Sequence, residues 1–321
     1  MKVLVTGGMG VLGSAVSGRV VREGHRPVVM SRSFDRNLIG SIQKDIDIEL
    51  GDVLDLPRLL SIIQAYKVTH IIHMAALIGA LSTRNPPQSV HVNVIGTLNV
   101  LEAARLTGVQ RVIFTSAKGV YGNIEGEYGH PMYKPLPEGY PKNPYRIYDS
   151  EKLMGEHMGQ FYRRTYGLEF GAIRFSSTFG PGKTVRHGDK AVLSRLVEGA
   201  FAGRPVRIDK GGDQKNDFIY NKDAAQGVFL ACTTTELNHT EYNIGSGTAA
   251  TLNDFADAVR HLLPGVEVEV GPGISGEMPN YSCVYDISRA KEDLGYAPRF
   301  TVEGAVEDYL AGLQRIASRT D

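Results

Sequence analysis

A short apolar run, Val3–Thr6, leads into glycines at Gly7, Gly10 and Gly13, and a helical pattern follows at once. Few arrangements satisfy that order. Glycine allows the chain to turn sharply and brings backbone close to a ligand with no Cβ in the way. The helix that starts behind it offers unpaired N–H groups and a partial positive charge to an anion. A glycine triplet alone says little, but one lodged between an apolar strand and a helix is a dinucleotide-binding signature. Gly7, Gly10, Val11, Leu12 and Gly13 are therefore the expected pyrophosphate cradle.

The first half of the chain repeats the same rhythm. Strands are predicted at Lys2–Thr6, Pro27–Met30, His70–Met74, Arg111–Thr115 and Glu169–Phe175. Helices are predicted at Gly13–Glu23, Pro57–Tyr66, Val92–Leu106 and Tyr148–Arg164. Short apolar strands alternating with helices imply a parallel sheet covered on both faces. The expected fold class is α/β, a Rossmann-type doubly wound parallel sheet with a smaller C-terminal α/β substrate lobe. The dinucleotide-binding domain is expected over residues 1–175, with segments near 217–245 returning to it, and the substrate lobe mainly over 176–321. Gly122–Pro144, with five prolines, breaks the rhythm and reads as an irregular insert and a candidate lid carrying Tyr128, His130 and Tyr133.

Composition removes several alternatives. Lys+Arg and Asp+Glu both total 35, so no net field draws the chain to nucleic acid or an anionic membrane. Cys232 and Cys283 lie too far apart for metal-ligand spacing, and no metal site is expected. Two unpaired thiols, no signal-peptide pattern and no long apolar run point to a cytoplasmic protein.

Two further segments carry chemistry. An NAD site usually places an acid after the second strand to hold the ribose 2′-hydroxyl, whereas an NADP site uses an arginine. Here Met30 is followed by Ser31, Arg32 and Ser33, which favours NADP over NAD. Asp52, after the expected third strand, reads either as an acceptor for the adenine amino group or as a plain turn aspartate. Tyr148 and Lys152 stand at i and i+4 of a predicted helix, on one face. A phenol with a pKa of about 10 becomes a base near neutrality only if phenolate is favoured by ~4 kcal/mol. A nearby ammonium and an oxidised nicotinamide ring are able to supply that together.

These motifs resemble the extended short-chain dehydrogenase/reductase family, the group of nucleotide-sugar epimerases and dehydratases. The resemblance rests on Thr6–Gly13, Gly51–Asp52, His73–Ala76, Asn93–Thr97, Val120–Gly122, Tyr148 with Lys152, Gly180–Gly182, Asp217–Ile219 and Asp286 with Leu294–Pro298. It implies that Ala75 and Ala76 pass close to the cofactor phosphates and ribose. It implies that Lys152 holds the nicotinamide ribose and Tyr148 exchanges the proton. Val53, Asn93 and Phe175 complete the expected cofactor set, and a homodimer packed through helices near 92–108 and 148–165 is implied as well. His73 is expected to be structural.

The departures bear on substrate. Where the family has a Ser or Thr before Val120–Gly122, this chain has Ala117, between Ser116 and Lys118. Losing one oxyanion donor costs ~10²–10³ in rate elsewhere, so a substitute is expected among Ser116 (the third expected catalytic residue), Ser177 and Thr178, unless Tyr148 acts alone. Ser177 replaces the asparagine of the family's Arg-x-x-Asn strand beginning at Arg174. Asn216 replaces the arginine before Asp217, and Ile274 stands where a second arginine is usual. Without those arginines a diphosphate would lie unpaired, with Lys215, Lys183 and Arg186 the available replacements. The expected substrate is thus a small polyol, sugar or hydroxy-carbonyl compound without a nucleotide tail, bound near Ala117, Lys118, Ser177, Thr178 and Asn216. An NAD(P)-dependent oxidoreductase is the first reading, an epimerase that retains its cofactor the second, and a non-catalytic dinucleotide sensor the third.

Overall fold

The computed structural model describes residues 1–35, 37–183, 191–275 and 281–318. The strands are β1 (Val3–Thr6), β2 (Val28–Ser31), β3 (Asp47–Leu50), β4 (His70–His73), β5 (Arg111–Ala117), β6 (Glu169–Phe175), β7 (Ser177–Phe179), β8 (Val206–Ile208), β9 (Phe218–Tyr220), β10 (Glu241–Ile244) and β11 (Val268–Val270). Seven of them form one sheet in the order β3-β2-β1-β4-β5-β6-β10, every pair parallel. The order reverses between β1 and β4. In open α/β sheets, ligands bind at the carboxyl ends of the strands beside such a switch point.

Period-two alternation makes the two cores. Val3, Val5, Ile72, Ile113 and Ile173 face one side and meet Val16, Val20, Ala224 and Val228 from helices Val11–Arg22 and Asn221–Thr233. Leu4, Ile71, Val112, Phe114 and Phe170 face the other, against Leu59, Val100 and Leu101 of helices Leu56–Tyr66 and Gly96–Thr107. Asp55 caps the first of these, its side chain accepting from the Arg58 N–H at 2.9 Å, with Pro57 in the first turn.

The carboxyl-terminal part is not a separate block. Glu241–Ile244 pairs with β6 as the edge strand of the main sheet, and Asn221–Thr233 packs on the first helix. Phe218–Tyr220, in contrast, pairs with Ser177–Phe179 outside the main sheet. A third core gathers Phe179, Leu196, Val206, Tyr220, Phe255 and Tyr309 around the β8–β11 pair and helices Val192–Phe201, Leu252–Leu262 and Val302–Ala317. Among the described residues no helix is long and apolar enough to cross a membrane.

The Gly122–Pro144 insert is docked, not hanging. Leu136 donates its N–H to the Val284 carbonyl and accepts from the Asp286 N–H, a parallel bridge at Tyr285. Ile124 and Leu136 are buried in the same core as Tyr285. Tyr133 is buried, while Tyr128 packs edge-on against Tyr140.

Candidate active site

The glycine turn is as tight as its composition requires. Gly7 adopts φ +69°, and a Cβ there would sit 2.8 Å from the Ala75 nitrogen. At Gly13 a Cβ would lie 2.2 Å from the Gly7 carbonyl oxygen, so even alanine is excluded. Gly10 is the N-cap of helix Val11–Arg22 and offers no capping side chain, which leaves the first-turn amides to an external acceptor. This geometry suits a dinucleotide pyrophosphate.

Beside that turn runs the segment after β4, held by an unbroken hydrogen-bond chain. Thr6 Oγ1 accepts from the Met74 and Ala75 amides at 3.2 and 3.3 Å. Its own proton then goes to His73 Nδ1 at 2.7 Å, so His73 Nε2 carries the hydrogen and donates to Thr97 Oγ1 at 3.0 Å. Burial, then the Lys152 charge, pushes His73 down to about 3. A neutral, doubly bonded imidazole has a structural part, as expected. Asn93, in a π-helical turn at His91–Ile95, grips both the N–H and the C=O of Leu77 at 2.8 Å and donates to Glu151 at 2.6 Å. Its side chain is thus committed to the loop, and it bears on any ligand through Ala75–Leu77.

A pH effect follows. The unfolded histidine titrates near 6.5, so between pH 6.5 and 3 the unfolded chain binds the proton that native His73 refuses. Stability falls on acidification through that window, by up to ~1.4 kcal/mol per pH unit. Urea midpoints at pH 7 and 5 check this: the drop is expected to shrink in His73→Gln, and an unchanged drop would contradict it.

Ser31 ends β2, and Arg32 beyond it is exposed, with no hydrogen bond or ion pair among the described residues. Asp52 Oδ1 accepts from the Leu54 amide at 3.0 Å. Val53 is buried against Gly96, its carbonyl accepting from Asn99. Phe175 is buried at the end of β6.

Tyr148 and Lys152 lie in the first turns of helix Ile147–Tyr166, with the ammonium 5.6 Å from the phenol ring centroid. Lys152 Nζ donates to the Thr115 carbonyl at 2.7 Å. The Tyr148 hydroxyl has no hydrogen-bond partner among the described residues. Burial, then Asp149 and Glu151, pushes that phenol well above its ordinary value, while burial pushes Lys152 down to about 8. At pH 7 the pair is therefore a neutral phenol beside an ammonium.

At the end of β5 one expectation is corrected. Ser116 does not face the groove: strand alternation turns it to helix Ile147–Tyr166, where its hydroxyl donates to Glu156 at 2.5 Å. Glu156 in turn holds buried Arg174 at 2.9 and 2.6 Å, and Arg174 donates to the Tyr121 hydroxyl and the Glu138 carbonyl. Ser116 is a brace, not a substitute for the hydroxyl missing at Ala117. The next residue, Lys118, is buried, and its Nζ donates to Ser177 Oγ and Asn216 Oδ1, both at 3.0 Å. Asn216 Nδ2 donates to the same Ser177 oxygen at 2.7 Å. Thr178 is turned instead to Lys183, whose ammonium it receives on Oγ1 at 3.2 Å and on its carbonyl. Lys215 is exposed, Ile274 half-buried, and Arg186 lies outside the described residues.

Glu156 was within reach of sequence reasoning, since it continues the Tyr148–Lys152 spacing by another four residues. Tyr281, whose ring lies 4.5 Å from Lys118 Nζ and 5.4 Å from the Arg146 guanidinium carbon, gave no local signal.

The fold and the Tyr148–Lys152 pair define an enzyme of the extended short-chain dehydrogenase/reductase type. A model of the NAD dependent epimerase/dehydratase family matches residues 3–245, and the chain belongs to that family. It is 30% identical over 305 residues to the UDP-glucose 4-epimerase of Mycolicibacterium smegmatis, covering 93% of this chain and 94% of that one. The structure of UDP-glucose 4-epimerase with UDP-glucose from Thermotoga maritima superposes with a TM-score of 0.86 at 25% identity, over 99% of this chain and 100% of that one. The Thermus thermophilus UDP-glucose 4-epimerase complex with NAD gives 0.82 at 25% identity, over 98% and 99%.

Proposed function

We propose that this chain inverts a carbinol carbon of a nucleotide sugar through transient oxidation, with Tyr148 exchanging the hydroxyl proton. The observation that carries the reading is the Tyr148 phenol, without a hydrogen-bond partner among the described residues, set beside Lys152, whose ammonium is tied to the carboxyl end of β5. This replaces the expectation of a substrate without a nucleotide tail, because the relatives over the full length are named for UDP-sugars. A bound nicotinamide dinucleotide supplies the hydride acceptor and donor. Tyr148, a neutral phenol at rest, would lose its proton to solvent once a bound positive ring and the Lys152 ammonium favour the phenolate, and that phenolate would take the substrate hydroxyl proton. It returns that proton when the carbonyl is reduced from the other face. Lys152 also keeps the β5 end fixed through Thr115.

The test is incubation with UDP-glucose and no added dinucleotide, followed by chromatography for the 4-epimer. Conversion without a change in nicotinamide absorbance is expected; no conversion of UDP-glucose or UDP-glucuronic acid would contradict inversion. Net oxidation or reduction, the first expectation from the sequence, is the second reading. Stoichiometric absorbance change with added coenzyme would select it.

We propose from Arg32, exposed beyond β2, a preference for NADP over NAD, although the Thermus thermophilus epimerase forms a complex with NAD. A charged hydrogen bond from Arg32 to the 2′-phosphate is worth ~10-fold or more in affinity. Calorimetry with both coenzymes checks this, and equal affinities would contradict it.

We further propose a homodimer. Ile95, Leu98, Met154 and Phe161 are 36–50% exposed on the two helices expected at the interface. Light scattering is expected to give twice the chain mass, with Phe161→Glu shifting it to the monomer; a monomeric parent would end the idea. The two free, buried cysteines suit the cytoplasm proposed for it.

A further inference from the structure

The end of β5 holds a cation where the sequence pattern gives no reason for one. Lys118 follows Ala117, and its side chain crosses to the two positions, Ser177 and Asn216, at which this chain departs from its family by losing an asparagine and an arginine. Both contacts are to neutral oxygens. Among the described residues no carboxylate comes within ion-pair distance of Lys118. The nearby acid, Asp217, is saturated: its Oδ1 accepts from Ser176 Oγ and from the Ser246 amide and hydroxyl, its Oδ2 from the Gly247 and Tyr285 amides.

A second ammonium is bound one residue further along β7. Among the described residues Lys183 is held by the oxygens of Thr178, the residue after Ser177, and pairs with no carboxylate. Burial, then the Lys118 charge, pushes Lys183 down to about 8. An ammonium has three N–H donors; Lys118 spends two. Among the described residues neither ammonium has a counter-charge, and an anion received there would offset the cost of burying Lys118. In this wall the positive charge stands at position 118, with Asn216 as its acceptor.

We propose that Lys118, aided by Lys183, is the seat for the anionic group of the substrate and thereby a specificity-determining residue. The inference rests on the nucleotide-sugar reading for the identity of that anion, a diphosphate; a carboxylate on the sugar shares the same chemistry. The Tyr281 ring beside Lys118 forms an apolar wall of the seat.

Equilibrium binding separates these claims from hydride transfer. UDP, inorganic pyrophosphate, uridine and glucuronate are titrated into the full chain and into Lys118→Gln, Lys118→Arg and Lys183→Gln, with melting temperature and dinucleotide uptake as fold controls. Lys118→Gln is expected to weaken UDP and pyrophosphate by ~10–100-fold, to leave uridine unchanged, and to be largely rescued by Lys118→Arg. Lys183→Gln is expected to show a smaller loss of the same kind. Lys118-dependent binding of glucuronate with no binding of UDP would keep the seat and remove the nucleotide reading. UDP binding that is unchanged in a folded Lys118→Gln would overturn the seat and leave the proposed inversion standing.

Discussion

Turnover of Tyr148→Phe is expected to fall ~10²–10⁴-fold, the usual worth of a positioned acid/base. The change removes one oxygen that has no hydrogen-bond partner among the described residues, so folding loses nothing measurable. The glycine turn is carried by β1 and the helix behind it, not by helix Ile147–Tyr166, so dinucleotide uptake is expected to be unchanged. Steady-state turnover and calorimetry on the same preparation separate the two effects. Activity retained within ~3-fold would remove Tyr148 from the chemistry, since that is far below what general acid/base catalysis contributes, and would favour the non-catalytic sensor.

The second large effect concerns stability. Glu156 and Arg174 are both almost wholly buried, joined by two hydrogen bonds, and tied to Ser116, Tyr121 and Glu138. Replacing such a pair by apolar residues is often neutral, but breaking it strands a buried charge. Glu156→Ala is therefore expected to cost ~3–5 kcal/mol, read as a lower urea midpoint at constant slope. Glu156→Gln, which keeps acceptor and shape, is expected to lose less. A loss below ~1 kcal/mol, the range of an exposed ion pair, would mean that the network does not brace β5 against helix Ile147–Tyr166.

The sheet was legible because burial on both faces writes itself into short apolar runs, and the glycine turn because sterics leave no substitute. Tyr148 and Lys152 share a helix, so their spacing alone places them together. Ser116 was misassigned for a local reason. Strand alternation sends it and Ala117 to opposite faces, and only the partner waiting on helix Ile147–Tyr166 shows which face is which. Lys118 was visible as a residue but not as a site. Its contacts, Ser177, Asn216 and Tyr281, lie between 59 and 163 positions away, and no periodicity links such distances. The docking of the 122–144 insert onto Val284–Asp286 was hidden in the same way.

The proposed inversion requires a nicotinamide coenzyme bound at the β1 glycine turn within reach of Tyr148. Its content is measured by denaturing the purified protein, quantifying released dinucleotide by chromatography, and titrating NADP and NAD by calorimetry. Released and newly bound dinucleotide are expected to sum to one per chain. None released and none taken up would contradict the account at its root.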